Sequence, residues 1–146
     1  MKQFFACLVV ISTGVSSVCA SLGDNDDKIE DSYGKLIQRH LQDDGSVGVV
    51  YHKDRYLYFV TFVDRRSVLE GYSRFDGREL SANEISRFLK TNAGRKVNWT
   101  QHESTSKERT FERSDHKAKA TYGKVNGRPT LTVRALGRTK APSNDE

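Results

Sequence analysis

The chain has 146 residues, enough for one compact domain with a real core and too few for two. Its 24 Lys and Arg outnumber its 19 Asp and Glu, so the net charge is +5, and more than a third of the residues are apolar, which excludes a wholly disordered polymer. The charge is uneven. Residues 21–45 carry seven acids against three bases, whereas residues 95–140 carry twelve bases against four acids. The second segment is the one compositional hint of an anionic partner.

The chain opens on the pattern of a secretory signal peptide. Lys2 precedes an apolar run from Phe4 to Ile11, and small residues then lead to Val18-Cys19-Ala20, which predicts cleavage between Ala20 and Ser21. That run is short for a membrane span, so residues 1–20 are expected to be removed and the mature chain to hold no transmembrane segment. Export to the periplasm or exterior is the implied address; a lipid anchor through Cys19 is the lesser alternative. Cys7 and Cys19 both lie in the leader, so the mature domain is expected to stand without disulfides.

Residues 21–27 read as a flexible acidic lead-in. Ile29, Tyr33, Leu36, Ile37 and Leu41 then recur at helical spacing, with Asp24 or Asp26 as a cap, and predict a helix over about 28–42 that Gly34 weakens. Three strand-like runs follow, 47–52, 56–63 and 68–74, divided by polar turns at Lys53-Asp54-Arg55 and Asp64-Arg65-Arg66. In the middle run Tyr56, Tyr58, Val60 and Phe62 alternate with Leu57, Phe59, Thr61 and Val63. Both faces are mostly apolar, which places that strand inside a sheet.

The most legible helix is predicted over 82–93. Ser81 is its N-cap, Glu84 completes a capping box, and Leu80 with Ile85 forms a hydrophobic staple. Ile85, Phe88 and Leu89 share one face, and Gly94 supplies a left-handed residue at the end. Beyond it, Val97, Trp99 and Gln101 suggest a strand, with Trp99 covering the end of the core. Asn126-Gly127 is a two-residue hairpin signal that pairs Tyr122 with Leu131, Ala120 with Val133 and Ala118 with Ala135. The Asp115-His116 turn sets Phe111 against Ala120. Thr110, Thr121 and Thr132 then form one outward row, and Glu112, Lys119 and Arg134 another. Lys119 opposite Arg134 is a repulsive pair that Glu112 would offset. Residues 137–146 read as a disordered tail.

The fold expected is α+β: one domain over 28–136, with two helices packed on one face of an antiparallel sheet of six or seven short strands. The succession of meander, Leu80-Ser81-Ala82-Asn83-Glu84-Ile85 helix, Trp99 strand and Arg113–Ala118 hairpin resembles a group of small exported bacterial proteins of unassigned function, over most of residues 46–135. It departs from them where Asp64-Arg65 and Asp115-His116 replace their Asp-Gly turns. More loosely, the helix-plus-meander plan is similar to outer-membrane assembly lipoproteins and β-lactamase-inhibitor-like modules. Neither resemblance carries over a functional residue.

Reactive constellations are lacking. There is no Gly-x-Ser-x-Gly, no Gly-rich phosphate loop and no mature cysteine, and His40, His52, His102 and His116 have no metal-ligand spacing. No catalytic residue, metal ligand or cofactor is therefore expected. A non-enzymatic binding module is, with another exported or envelope protein as its partner. The alternative is a polyanion, nucleic acid or acidic polysaccharide, held by Lys117, Lys119, Lys124, Arg128 and Arg134; a further alternative is an enzyme whose site assembles only in three dimensions.

Overall fold

A computed structural model describes residues 21–137. The leader expected over 1–20, its expected cleavage point between Ala20 and Ser21 and all but the first residue of the tail expected over 137–146 lie outside the described residues, Ser21 itself being described. Helix α1 (Asp26–Tyr33) is followed by strands β1 (Lys35–Leu41), β2 (Val47–Lys53), β3 (Tyr56–Val63) and β4 (Arg66–Arg74). Helix α2 (Ala82–Thr91) then leads to β5 (Trp99–Ser104), β6 (Arg109–Arg113), β7 (Ala118–Val125) and β8 (Arg128–Ala135). A helix and a four-stranded meander thus occur twice in succession.

All eight strands join one antiparallel sheet in the order β1-β2-β3-β4-β8-β7-β6-β5. The two meanders meet where β4 pairs β8, through Leu69 with Arg134 and Tyr72 with Leu131. That seam is the centre of the molecule, and Leu131 and Val133 are completely buried there.

The eighth strand is the main correction to the sequence reading. The helix expected over 28–42 stops at Tyr33, because Gly34 takes φ +81°, and a Cβ at that position would lie 3.0 Å from the His52 carbonyl. Leu36 and Leu41 instead pair with Tyr51 and Val47 as an edge strand. Asn25, not an aspartate, caps α1, its Oδ1 accepting from Lys28 N at 3.0 Å. The lead-in 21–27 is also tied down. Leu22 N donates to Asn92 Oδ1 at 2.9 Å, Gly23 N to the Ser67 carbonyl at 2.9 Å, and Asn25 bridges Arg66.

The second helix is as the sequence implies. Ser81 Oγ accepts from Glu84 N at 3.2 Å while Ser81 N donates to Glu84 Oε2 at 2.7 Å, and Leu80, Ile85, Phe88 and Leu89 are buried. Each of those apolar side chains contributes about 1.5–3 kcal/mol by burial. The helix itself closes at Asn92, with Gly94 at φ +71° two residues on. The hairpin registers also agree: Asn126 and Gly127 take φ +49° and +77°, and Tyr122 faces Leu131, Ala120 faces Val133 and Phe111 faces Ala120.

Both helices lie on the same face. Tyr33 of α1 stacks on Tyr58 at 4.3 Å between centroids, and Phe88 of α2 stacks on Tyr72 at 4.4 Å. No helix among the described residues is long and apolar enough to cross a membrane.

Candidate functional site

Alternation along the strands gives the sheet two unlike faces. Under the helices, Val49 and Tyr51, Val60 and Phe62, and Glu70 and Tyr72 belong to the covered side. Glu70 is completely buried there, and three hydroxyls serve its carboxylate: Tyr33 and Tyr72 (2.6 Å) on Oε2 and Ser67 (3.0 Å) on Oε1. Asn92 Nδ2 donates to the Tyr72 hydroxyl at 2.6 Å and so links the end of α2 to this network. Burial pushes the Glu70 carboxyl above the usual carboxylate range and the Tyr33 and Tyr72 hydroxyls above the usual phenol range. Such a shifted acid can mark a functional site. Here its oxygens are consumed by hydroxyls inside the core and it lines none of the four clefts described below, so its role is to join α1, β4 and α2.

Among the described residues the other face has no helix over it. Register fixes two neighbouring rows across it. One runs Phe59, Gly71, Thr132, Thr121, Thr110, and the next runs Thr61, Leu69, Arg134, Lys119, Glu112. The first row is low, because Gly71 has no side chain; a Cβ there would meet Phe59 Cβ at 3.3 Å. The result is a groove of about 640 Å³ with Phe59, Leu69, Val125 and Leu136 as its apolar parts and Lys119, Arg128 and Arg134 as its charges. No carboxylate lines it. Its size lies in the usual range of about 300–1,000 Å³ for small-ligand sites.

The pairing of Lys119 with Arg134 and of Glu112 with Lys119 is as the hairpin registers require. Glu112, however, offsets the cations less than the sequence suggests. Its Oε1 is 2.6 Å from His116 Nδ1 and its Oε2 is 3.7 Å from His102 Nε2. The His116 hydrogen bond is the largest influence holding the Glu112 carboxyl below its usual range, with the Lys119 charge a lesser one. Among the described residues no carboxylate lies within 4.0 Å of Lys119 or Arg134. Among the described residues two like charges thus stand side by side with Glu112 beside Lys119 as a counter-charge beyond ion-pair distance, its closest partners being the histidines.

The five basic candidates of the sequence do not form one patch. Lys119, Arg128 and Arg134 line the groove, with the Arg128 guanidinium anchored on the Arg74 carbonyl at 2.8 Å. Lys117 is exposed in the turn before β7, its N–H donating to Asp115 Oδ1 at 3.0 Å. Lys124 lines a separate cleft with Glu79, Glu108 and Arg109. In that cleft, of about 760 Å³, the Tyr122 hydroxyl donates to Glu79 and accepts from Leu80 N at 2.8 Å; burial above all pushes its pKa up to about 12. A cleft of about 660 Å³ at the start of α2 gathers Arg74 and Arg87, but Arg74 pairs with Asp76 and Glu84, and Arg87 donates to the Tyr56 hydroxyl. A fourth, of about 710 Å³, runs between α2 and Trp99, which packs on the core edge. The open-face groove is set apart from the first two because no carboxylate lines it, and from the fourth, which also sets cations (Lys90, Lys96, Arg109) beside apolar side chains, because two of its cations, Lys119 and Arg134, are direct cross-strand neighbours.

The sequence implied both rows of the C-terminal hairpins but not what they adjoin. Gly71 and Leu69 reach Thr132 and Arg134 only through the β4–β8 pairing, which no local turn announces. The Glu70 network had one available signal: in the 68–74 run, Glu70 alternates in phase with Tyr72, on the side opposite Leu69 and Gly71. Compared with known proteins, the chain matches no family model, no curated protein and no solved structure.

Proposed function

We propose that this protein is an exported, non-enzymatic binding module whose sheet face opposite α1 and α2 is its recognition surface. The observation that carries the reading is the groove across β3, β4, β8 and β7, where Lys119 and Arg134 lie opposite one another with no carboxylate within 4.0 Å among the described residues. Cross-strand like charges are destabilising, and a bound anion relieves them. The fold supports recognition in another way. The shifted carboxyl of Glu70 on the covered side is hydrogen-bonded into the core, and Lys119 and Arg134 on the open face are exposed, so replacing those two leaves the framework intact.

Export rests on the leader pattern of residues 1–20. It is supported by Ser21, whose backbone nitrogen lies 2.7 Å from Asp24 Oδ2. Cleavage before Ser21 puts the new α-ammonium group against that carboxylate. Mass analysis of the protein secreted by a bacterial host is expected to give a chain starting at Ser21, and an intact Met1 chain retained in the cell contradicts export.

The binding reading is tested by thermal stabilisation with a panel of anions: alkyl carboxylates, sulfated oligosaccharide, single-stranded oligonucleotide and acidic peptide. At least one class is expected to raise Tm, and the effect is expected to vanish in the Lys119→Gln/Arg134→Gln variant. A panel without effect, or a shift that survives both substitutions, contradicts the reading. A polyanion is the second reading, favoured by the basic excess over residues 95–140. Its strongest form is weakened by Lys124 and Lys117 lying outside the groove, which breaks the continuous line of charge that a long polymer follows.

A further inference from the structure

We propose that the open-face groove binds a free single-chain amphipathic carboxylate, with its headgroup between Lys119 and Arg134 and its alkyl chain lying over Gly71 towards Phe59. This rests on the reading of the open face as the binding surface and names the ligand class. The argument is the order of chemistry along the groove. All three charges stand on β7 and β8, with Val125 and Leu136 flanking them at the ends of those strands, while on β4 and β3, one and two strands further on, the lining is only Leu69, Gly71 and Phe59. Between them the floor is made of Thr121, Thr132 and Gly71, short side chains or none.

Three inter-strand steps from β7 to β3 amount to about 14 Å, the reach of a medium-length alkyl chain. A small inorganic anion satisfies the cations but leaves the apolar end wet. A neutral apolar molecule covers Phe59 and Leu69 but leaves Lys119 and Arg134 without a counter-charge. A polyanion needs bases on both sides of the pair, and the row continues into Leu69 on one side and Glu112 on the other. Only a ligand with one anionic end and one apolar end matches both ends of the trough. Thr121 and Thr132 beside the pair offer hydroxyl donors to the second carboxylate oxygen.

The test is calorimetric titration of the purified full chain with octanoate, decanoate and dodecanoate below their micelle-forming concentrations, with dodecanol and dodecyltrimethylammonium as matched controls. Affinity is expected to rise about two- to fourfold per added methylene, as burial of a CH₂ in a half-open trough implies. Dodecanol and the ammonium amphiphile are expected to bind at least tenfold more weakly than dodecanoate. Lys119→Gln/Arg134→Gln is expected to cost dodecanoate tenfold or more while leaving the circular dichroism unchanged, since both side chains are exposed. Thr132→Trp, which fills the trough without touching the charges, is expected to abolish the chain-length dependence. Equal binding of dodecanol and dodecanoate, no dependence on chain length, or indifference to the double substitution each overturns the proposal. If dodecanoate fails while the oligosaccharide, oligonucleotide or acidic peptide binds through Lys119 and Arg134, the ligand class is wrong and the open-face reading stands. If nothing binds there, both fall.

Discussion

The two faces of this sheet are built from alternate residues of the same strands, yet they treat charge in opposite ways. On the covered face the completely buried carboxyl of Glu70 is met by three hydroxyls and sealed between α1 and α2. On the open face two cations oppose each other and the nearest acid is committed to histidines. A buried charge without partners is costly enough to unfold a small domain, so the covered face has to be complete within the chain. An exposed repulsion costs only tenths of a kcal/mol, so the open face can stay incomplete until a ligand arrives. Stability and recognition are therefore divided between the faces, and substitutions ought to sort the same way.

The largest effect is expected from Phe88→Ala. Its ring stacks on Tyr72 and meets Tyr56 edge-on at 5.2 Å, so truncation leaves a cavity between α2 and the sheet and costs about 3–5 kcal/mol in denaturant unfolding. A loss below about 1 kcal/mol would mean that α2 is not docked where the comparison requires.

Next comes Glu70→Ala, which takes the carboxylate acceptor away from the Tyr33, Tyr72 and Ser67 hydroxyls, leaves a cavity in the core and is expected to cost about 3 kcal/mol. Glu70→Gln sharpens the point through pH. Burial favours the protonated carboxyl in the folded state, so the folded pKa lies above the unfolded one. The contribution of Glu70 is then fully present below the unfolded value and declines as pH rises through it towards the raised folded value. Gln has no such decline. The variant's Tm is therefore expected to gain on the wild type between pH 4 and pH 7, and a constant difference would show that Glu70 is ionised at no cost. The acids held low by partners, such as Asp76 and Asp115, are common to both proteins and cancel in the comparison.

Removing the cap by Ser81→Ala is expected to cost about 1 kcal/mol, read as a modest fall in Tm. Ser73→Ala is expected to cost nothing, because Ser73 Oγ is buried without a partner among the described residues. A loss above about 1 kcal/mol there would reveal a hydrogen bond that the geometry lacks.

How much of this could be read from the sequence depends on whether the deciding residue was local. Asn126-Gly127 fixes its own hairpin, so the Thr and Lys-Arg rows followed from one turn, and Ser81 with Glu84 fixed a helix start for the same reason. Leu36, Ile37 and Leu41 fit a helix spacing and an edge strand equally well. Gly34, pressed against the His52 carbonyl, decides between them, and that contact spans eighteen positions of sequence. The groove was half legible: its cations belong to a hairpin, but its apolar end is delivered by β4, joined to β8 across some sixty residues. Asn92 and Leu22 were not linked by any pattern, since one side-chain amide ties the start of the chain to the end of α2.

The division between the faces turns on whether Lys119 and Arg134 are an uncompensated pair in the ligand-free protein. A double-mutant cycle with Lys119→Gln and Arg134→Gln, followed by denaturant unfolding at low and high salt, measures this directly. An unfavourable coupling of about 0.2–1 kcal/mol that shrinks as salt rises is the predicted result. Zero or favourable coupling at low salt would mean that Glu112 already neutralises the row, and would contradict an open face that awaits an anion.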